Sequence, residues 1–110
     1  MSALYGAAAV ISAVRSISDT PAALRITGGE MFPDLGGNAV CRAELCAYAD
    51  GSSPEICLSV LASFTARVMT HRAEEGILRI SPLSTAAADG HESGYFRFCQ
   101  RFEVIYKGGL

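Results

Sequence analysis

The chain has 110 residues, half of them apolar and 18% charged, with a formal net charge of −2. This is the composition of one folded domain around a single core, and it excludes disorder. The nine Lys and Arg residues form no run and leave no basic footprint, which argues against nucleic-acid binding as the main activity.

Residues 3–17 place Leu4, Ala7, Ala8, Ile11, Val14 and Ile17 at helical spacing, with Tyr5, Ser12, Arg15 and Ser16 toward the other side. The opening MSALYGAAAVISAVRS imitates the apolar part of a signal peptide. No positive residue precedes it, no cleavage site follows, and it is shorter than the roughly 20 apolar residues a bilayer needs, so it reads as a soluble helix. The polar SISDTP ends it, because Pro21 disfavours helical geometry at Thr20. Ala22 to Thr27 then reads as a short strand closed by Gly28-Gly29. Glu30 to Asn38 (EMFPDLGGN) reads as a loop through Pro33, Asp34 and the second glycine pair. Met31, Phe32 and Leu35 fall at the tip of that glycine-flanked loop and are candidate contact residues.

Ala39 to Ala49 (AVCRAELCAYA) alternates, with Cys41, Ala43, Leu45 and Ala47 on one side and Val40, Arg42, Glu44, Cys46 and Tyr48 on the other. DGSSPE is both a turn and a helix start: Ser53 caps, Pro54 suits the first helical position and Glu55 favours the positive end of the dipole. The helix that follows, Ile56 to Thr70, carries an apolar stripe of Ile56, Cys57, Val60, Leu61, Phe64 and Val68, and HRAEEG closes it with Gly76 as the stop. Ile77 to Leu83 is a strand that Pro82 makes an edge or an end. Ser84 to Gly94 connects to the last strand, as a loop or as a hairpin turning at Asp89-Gly90. In that last strand Phe96, Phe98, Gln100, Phe102, Val104 and Tyr106 share one face, while Tyr95, Arg97, Cys99, Arg101, Glu103, Ile105 and Lys107 share the other. The predicted fold is α+β: two helices packed on one mixed or antiparallel sheet of about four strands, in the order αββαββ. With no Trp and many alanines, the core is short of bulk, and such a core often leans on contacts between copies.

No residue set identifies a reaction, and the chain is expected to act without turnover or cofactor. Cys41 and Cys46, an odd number of positions apart on one strand, point to opposite faces and cannot converge on zinc. The four cysteines read as buried reduced thiols, since Cys41, Cys57 and Cys99 occupy places where apolar side chains would serve. DGHES gathers an acid, an imidazole and a hydroxyl within five residues, but triads are assembled from distant segments, and a solvated turn is the simpler account. Glu74-Glu75 reads as a solvated helix end. Neither glycine pair is followed by the helix and lysine of a phosphate loop. Arg97, Arg101 and Lys107 share a face with Tyr95, as in sheets that stack bases, but Glu103 interrupts that face.

The order helix, two strands, helix, strand and last strand resembles the tail-terminator (tail-completion) proteins of long-tailed bacteriophages and related tail-like elements. The residues carrying the likeness are SPEICLSVLASFTARVMTHRA, GILRISPL and YFRFCQRFEVIYKG, and the resemblance as a whole spans about two-thirds of the chain. The alanine-rich first helix and the MFPDLGG segment depart from it. The resemblance implies a structural protein of the virion's tail and neck, made in the host cytoplasm. It would form a homo-oligomeric ring, typically of six subunits, that caps the tail tube and joins it to the head-completion connector. No cofactor, metal, membrane or specific nucleic acid is implied, although DNA would pass through the ring, and acidic subunits would not grip it. The last strand, with Arg97, Arg101 and Glu103 outward, is expected to pair with a neighbouring subunit as well as with its own sheet. A small regulatory α+β domain that binds a ligand or partner shares this element order. An enzyme would have to use His91 with Asp89 or Ser93.

Overall fold

The computed structural model describes residues 6–33, 38–70, 76–92 and 94–109. Its elements run α1 (Gly6–Ser18), β1 (Ala23–Pro33), β2 (Asn38–Gly51), α2 (Pro54–Met69), β3 (Ile77–Pro82), β4 (Ala87–Glu92) and β5 (Tyr95–Gly109). Every strand pair is antiparallel; the sheet order is β1-β2-β5, with β3 and β4 lying end to end along the far side of β5. The fold is α+β, but among the described residues the sheet has five strands and the order is αββαβββ.

The start of α2 follows its sequence. Ser53 is extended, and its Oγ accepts a hydrogen bond from the Ile56 N–H at 3.3 Å, with Pro54 opening the helix. Cys57, Leu61, Phe64 and Val68 recur at helical spacing and are buried against the sheet, where the Phe64 ring meets Phe102 edge-on at 5.1 Å between centroids. Ile56 departs from the expected stripe: it is 47% exposed and lies beside Gly51. A Cβ on Gly51 would sit 2.9 Å from Ile56 Cγ2, so the strand's last residue has to be glycine for α2 to start so close.

The first helix is rotated relative to its predicted stripe. Val10, Ala13, Val14 and Ser18 are buried, Ile11 and Ile17 are half-buried, and Ala7 and Ala8 are exposed. An alanine-rich helix has a weak apolar gradient, so the packing against α2 and the sheet chooses which face goes in. Leu4 lies outside the described residues.

The inner sheet face is formed by Cys41, Ala43, Leu45, Ala47 and Ala49 of β2 with Phe102 and Val104 of β5, all buried, beside Ile77 and Ile80 of β3. Phe96, Phe98 and Tyr106 pack at the margins. This is the alternation read from the sequence. β2 pairs with β5 along its whole 14-residue length, a ladder of about 45 Å at ~3.4 Å per residue. By contrast, α2 is only about 24 Å long at 1.5 Å per residue. The sheet outruns its helices, and the molecule measures 52 × 23 × 20 Å.

Two segments differ from expectation. Of the loop predicted over Glu30–Asn38, residues 30–33 and 38 are strand and residues 34–37 lie outside the described residues: β1 runs through the glycine pair to Pro33, after a bulge between Ile26 and Gly28. Gly29 permits this, since a Cβ there would press on the Arg42 carbonyl oxygen at 3.1 Å. In the connection, Asp89-Gly90 is not the turn. It lies in β4 as a bulge between Ala88 and Gly90, and the hairpin turns further on, where Gly94 has φ 83°.

Candidate functional site

The face of the sheet away from the helices is built by the alternate residues of the same strands, and pairing register decides which of them meet. Glu44 and Glu103 are directly opposite each other, an arrangement of like charges that by itself weakens a sheet. Two arginines resolve it from two rows along, on the same face. Arg42 and Arg79 both pair with Ile105, one from each side. Arg42 Nε donates to Glu103 Oε2 at 2.6 Å and its NH2 to Glu44 Oε1 at 3.3 Å, while Arg79 NH2 donates to Glu103 Oε1 at 3.1 Å. The hydrogen bond from Arg42 is the main reason that the Glu103 carboxyl is held below the usual carboxylate range.

A second pair lies toward the other end. Arg97 faces Asp50 in register and grips it with two of its three nitrogens, Nε to Oδ1 at 2.7 Å and Nη2 to Oδ2 at 3.0 Å. The guanidinium also stands over the Tyr48 ring, 5.7 Å from its centroid. The Arg97 bond lowers the Asp50 pKa. Between the two ion-pair groups, Arg25, Cys46 and Arg101 form one row across β1, β2 and β5. Among the described residues neither Arg25 nor Arg101 has an ion-pair partner.

The gap between β3 and β4 is closed by one backbone bond and by the side chains of Ser84 and Gln100. Leu83 N donates to Arg101 O at 2.8 Å, Arg101 N donates to Ser84 Oγ at 3.1 Å, and Gln100 Nε2 donates to Ser84 O at 2.9 Å. Gln100 Oε1 in turn lies 3.2 Å from Thr65 Oγ1 of α2, which ties the interrupted edge to the helix layer.

The candidate residues are therefore dispersed. Arg97, Arg101 and Glu103 do share the outer face, but Arg97 and Glu103 are already engaged within the chain. Met31 and Phe32 are in β1, opposite Cys41 and Val40, and not at a loop tip; Leu35 lies outside the described residues. The expectation that β5 pairs with a neighbour is corrected: β5 has β2 on one side and β3 with β4 on the other, so its backbone is occupied along both edges. Sequence reading missed Arg42, Asp50, Tyr48 and Arg79 as members of the outer network. Alternation did put Arg42, Glu44 and Tyr48 on one polar side, but nothing local told which residue of which strand they oppose.

All four cysteines are free; Cys41, Cys46 and Cys57 are buried and Cys99 is half-buried on the outer face. Burial first, then Asp89 and Cys46, push the Cys99 thiol up, which disfavours its reactive thiolate. Among the described residues no group of three or more His, Cys, Asp and Glu is placed to hold a metal ion. Asp89 of DGHES lies in the β4 bulge, and Ser93 is outside the described residues. Compared with known proteins, the chain matches no family model and no curated relative.

Proposed function

We propose that this protein is a structural component that works by assembling with copies of itself, as a tail terminator whose ring caps a tail tube and joins it to the head connector. The observation that carries the reading is the sheet, which is longer than the helix layer that covers it and, among the described residues, has open strands at both edges. An edge strand presents unpaired N–H and C=O groups, a template for another chain unless it is blunted. The outer face supports the same reading: its ion pairs hold the strands in register, while Arg25 and Arg101 have no ion-pair partner among the described residues. Tail-tube and head-completion proteins are the partners above and below, DNA passes through, and no cofactor takes part. Light scattering of the concentrated chain, with electron microscopy of the chain bound to tail tubes, tests this. A closed ring at the tube end is expected. A monomer in solution together with no density at any tube end overturns it.

A further inference from the structure

We infer that copies join edge to edge, with β1 of one copy adding antiparallel to β3 of the next, so that one sheet continues around the assembly; this rests on the ring reading above. Among the described residues, β1 pairs only with β2, and β3 and β4 pair only with β5. These are the open edges, and they run in opposite directions. β1 and β5 run one way, while β2, β3 and β4 run the other, because every pair is antiparallel. A second copy set alongside in the same orientation therefore brings its β1 antiparallel against β3 of the first. Such a contact uses different surfaces on the two copies, and repeated by rotation it closes into a ring.

The usable parts of the two edges also lie at the same height. Bulges and prolines blunt edge strands, and what they leave here is short. β1 is regular after its bulge between Ile26 and Gly28, and β3 is regular between its bulge at Ile77/Arg79 and Pro82. Following the register across the sheet, Gly28, Glu44, Glu103 and Ser81 share one row; Gly29, Ala43, Val104 and Ile80 share the next; Glu30, Arg42, Ile105 and Arg79 share the third. The regular stretches Gly28–Glu30 and Arg79–Ser81 thus occupy the same three rows. A rotation about an axis along the strands, with no rise, brings them together. No rise is the condition for a closed ring instead of an open helix. Space permits the approach, since a Cβ on Gly28 would meet nothing within 4 Å. Leu78 and Leu83, 37% and 40% exposed, bracket the β3 stretch and supply apolar area for the neighbour to cover.

The test is cross-linking with a short bismaleimide, in a Cys99→Ser background, on whichever preparation holds the ring, free or tube-bound. The double variant Gly28→Cys with Ser81→Cys is expected to give a ladder of covalent oligomers ending at the ring size, and each single variant none. A ring by microscopy without that ladder, or a dimer from Gly28→Cys alone, overturns the edge assignment while the ring reading survives. Monomer in every preparation overturns both. An Arg25→Cys with Arg97→Cys pair, whose rows do not coincide with the regular edge of β3, serves as the control and is expected to give no ladder.

Discussion

The two faces of β2 and β5 are made from alternate residues of the same strands, yet they are held by different physics. The inner face is closed: Leu45, Phe102 and Val104 are fully buried under Phe64 and Leu61 of α2, and dispersion plus burial fix it without regard to charge. The outer face is open. Its order comes from Arg42, Arg79 and Arg97, which hold carboxylates whose side chains stay 20–48% exposed. Exposed ion pairs add little net stability, so the outer face sets register and presents charge, while the inner face supplies the free energy of folding.

Substitutions that touch one face and spare the other should separate these roles. Phe64→Ala or Phe102→Ala removes a partner of the edge-on ring pair and is expected to cost about 3–5 kcal/mol in urea unfolding, the range for large-to-small changes of buried Phe. Gly51→Ala meets Ile56 at 2.9 Å and should cost about 1–3 kcal/mol through overpacking. Adding Ile56→Ala should recover part of that loss, and additive costs would show that the close approach is not the cause. Ser53→Ala deletes the α2 cap and should cost about 1 kcal/mol. On the outer face, Arg101→Ser is expected to change stability by less than about 0.5 kcal/mol.

The pH dependence sharpens the contrast. Glu103 and Asp50 have lowered pKa values in the folded chain, so the unfolded chain binds protons more readily. Their contribution is present above the ordinary carboxylate range, about pH 4, and is lost as pH falls through the folded values. The urea midpoint should therefore drop below about pH 4, and Glu103→Gln should flatten that drop. An equally steep acid limb in the variant would show that the Arg42–Glu103–Arg79 group does not carry it.

The legibility of the chain follows the range of the interactions. The α2 start was readable because Ser53, Pro54 and Glu55 act on backbone groups within one turn. The faces of β2 and β5 were readable because period-two alternation is a property of the strand alone. Sequence reading ends β1 early because glycine pairs ordinarily end strands, whereas here the ladder runs on, with Gly29 opposite Ala43. Of the candidate site, alternation alone puts Arg97, Arg101 and Glu103 on one outward face, but the partners of Arg97 and Glu103, namely Asp50, Arg42 and Arg79, come from other strands.

The sequence by itself determined the class of fold, the start of the second helix and which residues of the two long strands face in. These depend on capping, periodicity and burial, which act within a few residues. Only the tertiary structure decided that the last strand is central, that β1 on one side and β3 with β4 on the other are the edges among the described residues, and that the regular stretches of β1 and β3 share the same rows. Strand order and register are fixed by pairings between residues as far apart as Arg42 and Glu103, and no local pattern encodes them.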